Sequence, residues 1–295
     1  MIAKPASFDF GALAMGGARL SGFFALILVL APIHLVYTTF RPDDPFRIPQ
    51  LFHRLLLRLL GFRMRVHGAI AVTAPVLFVS NHSSYLDIPV LGALIPSAFV
   101  AKADVARWPL FGFLAKLQRT VFIERRPSLT HDHGNNIRAR LERGQNLILF
   151  PEGTSSDGLG VLPFKSGLFG AIEENFGAIT IQPVSIACTG LDGLPITRAW
   201  RPYYTWFGDM TLVGHLWNVF KFGRFTVDVV FHTPVSPAMF PDRKSLAAYC
   251  RQEVAQGIER CLAGRDLGAA RMPHVMSNVS HVPDTIPLPV PMENA

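Results

Sequence analysis

Within Ser80-Asn81-His82-Ser83-Ser84-Tyr85-Leu86-Asp87 a histidine and an aspartate stand five positions apart, just beyond an apolar run. Together they are the minimum equipment for a base that deprotonates a hydroxyl. Unperturbed imidazole titrates near neutrality, and a carboxylate on its second nitrogen fixes the tautomer and stabilises the imidazolium formed as the proton moves. The spacing alone also suits a histidine that packs or caps at a helix start, so its neighbours must decide.

A second carboxylate arrives in Phe150-Pro151-Glu152-Gly153-Thr154, again after an apolar run, with a glycine that permits close backbone approach to a ligand. Between the two, Val121-Phe122-Ile123-Glu124-Arg125-Arg126 ends in guanidinium groups suited to planar recognition of phosphate or carboxylate. Each also has an ordinary reading, Glu152 as a helix-capping carboxylate and Arg125 in a surface ion pair with Glu124 or Asp104. Ser83 and Ser84 do not stand in a nucleophile-elbow sequence, and no cysteine lies near His82. These residues therefore lend no support to a covalent serine or cysteine intermediate.

These loops need a frame. From residue 72 onward short apolar runs alternate with helical stretches: strands are expected at 75–80, 98–101, 120–124, 146–150, 180–187 and 225–232, and a helix at 84–94. Such alternation predicts an α/β domain, its mostly parallel sheet covered by helices on both faces. Functional loops then belong at the C-terminal ends of the strands, where His82, Glu152 and Arg125 all fall.

Asn81-His82 with Asp87, Phe122-Ile123-x-Arg125, Glu152-Gly153-Thr154 and Gln182-Pro183-Val184 together resemble, in order and approximate spacing, the four blocks of the 1-acylglycerol-3-phosphate acyltransferase family of glycerolipid acyltransferases. The similarity covers residues 61–235. It implies that His82 takes the proton from a lysolipid hydroxyl, that Asp87 orients it, and that the oxygen attacks an acyl thioester of acyl carrier protein or coenzyme A. Arg125 matches the phosphate-binding arginine of the second block, and Glu152 the acid that helps hold the acceptor. Backbone amides near Gly153 and Thr154, or the Lys102 ammonium, would receive the oxyanion. No cofactor or metal is implied beyond the thioester co-substrate. The expected acceptor is 1-acylglycerol 3-phosphate, giving phosphatidic acid. One departure stands out: the third block usually ends in arginine, and this chain has Ser155, followed by Ser156, Asp157 and Gly158. Lys165, in Pro163-Phe164-Lys165-Ser166-Gly167, is positioned to compensate. The loss also admits a lyso-ornithine lipid or another lysolipid, the former having a zwitterionic head.

A membrane is the expected setting. Residues 20–40 carry no formal charge between Arg19 and Arg41, long enough for a bilayer span, although Pro32 and His34 fit a kinked or re-entrant helix equally well. Arg41, Arg47, Arg54, Arg58, Arg63 and Arg65 crowd the C-terminal flank, which by the positive-inside rule puts the rest of the chain on the cytoplasmic face of the cell membrane. Residues 50–60 read as a basic amphipathic helix, suited either to the interface or to packing on the domain. The net charge of +7 fits an anionic membrane surface, and nucleic acid is disfavoured because no binding motif accompanies the cations. A non-catalytic lipid-binding protein would explain this N-terminal half but leaves the His82, Arg125 and Glu152 blocks as coincidence.

Residues 1–60 are thus expected to associate with the membrane, 61–265 to form the acyltransferase domain, and 266–295, with four prolines from Pro283 to Pro291, to be mostly disordered. Cys188, Cys250 and Cys261 lack the number and spacing of a disulfide or zinc framework. His131-Asp132-His133 has no third ligand nearby. The aromatic stretch at 200–217 suits either a membrane boundary, the lip of an acyl-chain groove, or a core.

Overall fold

The computed structural model describes residues 10–73, 75–123, 130–170 and 179–265. Arg125, Arg126 and the Pro-rich tail lie outside them. Two helices, α1 (Phe10–Phe40) and α2 (Arg47–Leu60), precede a sheet whose strands are β1 (Arg63–His67), β2 (Val76–Ser80), β3 (Ala98–Lys102), β4 (Val121–Ile123), β5 (Leu147–Leu149), β6 (Thr180–Leu191), β7 (Leu194–Pro195) and β8 (Phe225–Phe231). Helices α3 (Asp87–Leu94), α4 (Phe111–Leu117), α5 (Thr130–Glu142), α6 (Leu212–Lys221) and α7 (Arg243–Leu262) connect or follow the strands. His131, Asp132 and His133 fall on α5, and their side chains lie outside the described part.

The strand order is β1-β8-β6-β2-β5-β3-β4, with β7 a short hairpin partner of β6. From β6 to β4 all neighbours are parallel, so their C-terminal ends share one edge. β8 runs antiparallel to β6, and β1 parallel to β8, which makes the sheet mixed at that side. Side chains alternate across it. Phe78, Ile148 and Val184 face a core shared with α1, α2, α3 and α6, whereas Leu77, Val79 and Leu147 face one shared with α5 and α7.

The N-terminal helices are part of that first core. α1 continues through Pro32 and buries Gly16, Phe23, Ile27, Leu30 and His34 along one stripe, spanning about 27 Å at the helical rise. Arg19 donates to the carbonyls of Phe220 and Phe222 at the C-terminal end of α6, and His34 Nε2 lies 3.1 Å from the Leu117 carbonyl. The helix is therefore fastened lengthwise to the domain. Its opposite face exposes Phe24, Leu28, Val29, Leu35 and Val36. Held at these two points, the helix packs along the domain.

α2 owes its place to its two-sided pattern: Leu56, Leu57 and Leu60 enter the core, Arg54 donates to the Ala93 carbonyl at 2.8 Å, and Gly61 closes the helix in a left-handed conformation. His53 is buried against Gly92 of α3, where a Cβ would collide with the imidazole. Close approach of the two helices requires glycine there.

Candidate active site

β2 and β5 are neighbours, so the loops that leave their ends meet. Asn81 begins the first loop by tying it to β6: its amide donates to the Ile186 carbonyl at 3.0 Å and accepts from the Ile186 N–H at 2.8 Å. His82 follows with its backbone held on both sides. Its N–H donates to Glu152 Oε1 at 2.9 Å, and its carbonyl accepts from the Ser156 N–H at 2.9 Å. The ring stacks on Phe150 at 4.2 Å between centroids.

His82 Nδ1 lies 3.0 Å from Asp87 Oδ2. An ionised carboxylate only accepts, so Nδ1 carries the proton and Nε2 is the basic nitrogen. Among the described residues Nε2 has no hydrogen-bond partner. Asp87 is completely buried at the first turn of α3, where the helix dipole favours negative charge. Its Oδ2 also accepts from the backbone N–H groups of Ser83 at 2.7 Å and Ser84 at 2.9 Å, and its Oδ1 accepts from the Tyr204 hydroxyl at 2.9 Å. Five donors, counting the Ser83 hydroxyl 3.4 Å from Oδ1, thus fix the carboxylate that fixes the base. Tyr204 was not visible as part of the site in the sequence, since 117 residues separate it from Asp87.

Both oxygens of Glu152 are engaged with backbone, Oε1 with His82 and Oε2 with the Leu162 N–H at 3.2 Å. In this geometry it clamps the loop that carries the base. Only 2% of it is exposed, and burial pushes its carboxyl up to about 7, against the opposing pull of the two N–H groups. A carboxyl whose folded pKa lies above its unfolded value of 4.5 binds more protons in the native state between the two. Stability is then lost as pH rises through about 7. The expected result is that the melting temperature of the wild type, relative to that of Glu152→Gln, falls between about pH 5 and pH 7. Calorimetry of the two proteins checks this, and parallel pH profiles would contradict it.

Gly153 has φ +66°, and a Cβ there would stand 2.8 Å from Lys165 Nζ, so the left-handed glycine leaves room for an ammonium group laid across the loop. Thr154 is exposed beside it, and Lys102 ends β3 at the same sheet edge, half-buried. Ser155 donates to the Trp206 carbonyl, and the Trp206 N–H donates to the Ser83 carbonyl at 2.9 Å. Gln182, from the fourth block, lies away from this edge and stitches the segment after β1, bonding Ala69, Ala71 and the His232 carbonyl. Arg125 falls outside the described residues.

A cavity of about 280 Å³ opens beside the His82 ring and runs between α1, α2, α3 and α4. Phe23, Ile27, Phe52, Phe99, Trp108 and Trp206 are among its mostly apolar lining. Also in that lining, His53 Nε2 lies 3.1 Å from Gln118 Oε1, and Gln118 Nε2 donates to the Ser97 carbonyl at 2.8 Å. Tyr85, another lining residue, donates its hydroxyl to His215 Nδ1 at 2.8 Å.

A second serine, histidine and carboxylate set occupies the other face of the sheet. Ser185 Oγ lies 2.7 Å from His232 Nε2 and donates to the Val254 carbonyl at 2.9 Å, while Glu253 stands 3.7 Å from His232 Nδ1. Ser185 is fully buried with its donor and acceptor both used, and burial pushes the imidazole down to about 4. This set fastens α7 to β6, and its serine hydroxyl is committed to that contact.

The acyltransferase family model matches residues 63–187, which begin at β1 and include both loops. Over 252 residues the chain is 40% identical to the lyso-ornithine lipid O-acyltransferase of Brucella abortus (strain 2308), covering 83% of this chain and 94% of that protein. The chain belongs to the acyltransferase family. The acyltransferase is also 35% identical over 173 residues to the 1-acyl-sn-glycerol-3-phosphate acyltransferase of Neisseria gonorrhoeae, covering 58% of this chain and 64% of the relative. Its fold matches the crystal structure of the 1-acyl-sn-glycerophosphate (LPA) acyltransferase PlsC from Thermotoga maritima with a TM-score of 0.61 at 21% identity, over 84% of this chain and 96% of that one.

Proposed function

We propose that this acyltransferase moves a fatty acyl group from an acyl thioester to the free hydroxyl of a lysolipid, with His82 as general base. The observation that carries the reading is His82 Nε2: it is unpartnered among the described residues, backed by the buried Asp87, and beside an apolar cavity suited to a hydrocarbon chain. Nε2 takes the acceptor's hydroxyl proton as the oxygen bonds to the thioester carbonyl carbon. The tetrahedral oxyanion then collapses, the carbon–sulfur bond breaks, and the proton passes from Nε2 to the leaving thiolate. Asp87 stabilises the imidazolium in between. The Thr154 N–H or the Lys102 ammonium receives the oxyanion, the Gly153 N–H being given to the Phe150 carbonyl at 3.1 Å. Acyl carrier protein or coenzyme A supplies the thiol. Ser83 and Ser84 do not compete as nucleophiles, since their hydroxyls bond to Asp87 Oδ1 and the Leu86 N–H rather than to His82.

The exposed apolar face of α1 enters one leaflet of the membrane while its buried stripe holds the domain against the cytoplasmic surface. The lysolipid then reaches His82 from within the leaflet, and Arg125 meets its head.

The acceptor we assign is a lyso-ornithine lipid in preference to 1-acylglycerol 3-phosphate. Two observations favour it: Ser155 stands where a phosphate-facing arginine is usual and is bonded to the Trp206 carbonyl, and the lyso-ornithine relative matches 83% of the chain against 58% for the phosphate one. Purified protein in vesicles, given labelled acyl thioester and each acceptor in turn, tests this. The expected kcat/KM is at least about tenfold higher for the lyso-ornithine lipid, the equivalent of one lost charge-assisted contact. Preference for the phosphomonoester would remove the assignment.

A further inference from the structure

The loop at residues 150–165 closes over the His82 peptide. Glu152 accepts from the N–H groups of His82 and Leu162, Ser156 donates to the His82 carbonyl, and the Lys165 N–H donates to the Pro151 carbonyl at 3.0 Å. Held this way, the loop presents two exposed charges of opposite sign, Asp157 and Lys165. Lys165 Nζ lies across Gly153. Asp157 sits at the other turn, next to Gly158, which packs on Ser83: a Cβ on Gly158 would lie 3.5 Å from Ser83 Cβ.

Asp157 is anchored but not spent. Its Oδ1 accepts from the Leu159 N–H at 3.0 Å, and Oδ2 has no hydrogen-bond partner among the described residues. Arg201, close enough to feel its charge, does not pair with it; that guanidinium is buried and donates to the carbonyls of Gly158 at 3.3 Å and Cys188 at 3.4 Å. Arg201 therefore steadies the turn from below and leaves the Asp157 carboxylate facing outward.

We propose that Asp157 binds the ammonium of a zwitterionic acceptor headgroup while Lys165 binds its carboxylate, so that this pair sets acceptor choice. The proposal rests on the acceptor reading given above. An N-acylated ornithine offers one carboxylate and one ammonium, the complement of the two loop charges. A phosphomonoester satisfies Lys165 but meets like charge at Asp157.

The test uses full-length protein in vesicles with a fixed acyl thioester and three acceptors: lyso-ornithine lipid, the same lipid acetylated on its ammonium nitrogen, and 1-acylglycerol 3-phosphate. The wild type is measured first. Turnover of the phosphomonoester without turnover of lyso-ornithine lipid would refute the acceptor reading itself, before any variant is considered. Given turnover of lyso-ornithine lipid, Asp157→Asn is expected to lower the ratio of its kcat/KM to that of the phosphomonoester about tenfold. On the acetylated acceptor, wild type and variant are expected to perform alike. An unchanged ratio, an equal loss on all three acceptors, or the same loss on the acetylated lipid would overturn the proposal.

Discussion

Replacing His82 by alanine is expected to lower acyl transfer by about 10³-fold, within the usual contribution of a positioned general base. The effect should fall on kcat. The cavity wall that His82 helps form is otherwise built by side chains such as Phe99, Trp108 and Trp206, which the substitution leaves in place. Folding should survive as well, because Asp87 keeps the Ser83 and Ser84 N–H groups and the Tyr204 hydroxyl after the imidazole is gone. What is lost structurally is one partly exposed hydrogen bond and the stack on Phe150, about 1–2 kcal/mol together. The substitution therefore separates chemistry from stability. Membrane association should be unchanged, since α1 and its exposed apolar face are untouched.

Asp87→Asn is expected to lower kcat by about 10³- to 10⁴-fold while leaving the protein folded. An amide in place of the carboxylate removes the charge that stabilises the imidazolium. The tautomer itself is kept, because the carbonyl oxygen that accepts from Ser83 and Ser84 is the one that faces His82 Nδ1, so the loss reports the missing charge. The fold is preserved because one carbonyl oxygen can still accept from Ser83 and Ser84, and the Tyr204 hydroxyl can turn to accept. Asp87→Ala is a different experiment. It strands two buried backbone donors and the Tyr204 hydroxyl, at an expected cost of about 3–5 kcal/mol, a large part of an ordinary domain's stability. Activity lost in that variant would report unfolding as much as chemistry. Parallel circular dichroism and single-turnover acyl transfer distinguish the two.

That the His82 and Glu152 loops leave one edge of the sheet was legible in the sequence because it depends on strand direction, whereas their contact also needs β2 and β5 to be neighbours. β2, β3, β4 and β5 are parallel, so residues just beyond their ends had to share an edge. β1 was missed for a physical reason. Arg63-Met64-Arg65-Val66-His67 sits at the sheet margin with mostly exposed side chains, and no apolar run betrays it. The reversal of β8 was equally invisible, since apolar alternation says nothing of direction. Residues 20–40 were readable as a membrane segment, but not their docking: the stripe from Gly16 to His34 is as apolar as the face opposite it, apart from His34 itself.

The site's second layer was the least legible. Tyr204 belongs to an aromatic stretch that read as membrane boundary, groove lip or core, and only the fold carries its hydroxyl to Asp87. Trp206 from the same stretch does line the cavity beside His82. For Glu152 the residue was found but its geometry was not. Gln182 shows the same division, being part of a recognisable block yet serving the connection after β1 rather than the edge where His82 stands.

The most direct measurement is transfer of a labelled acyl group from acyl thioester to lyso-ornithine lipid by purified protein, with His82→Ala assayed beside the wild type at matched folding and vesicle binding. Rapid ester formation by the wild type and a loss of about 10³-fold in the variant is the predicted result. Full activity in a folded, membrane-bound His82→Ala protein would contradict it.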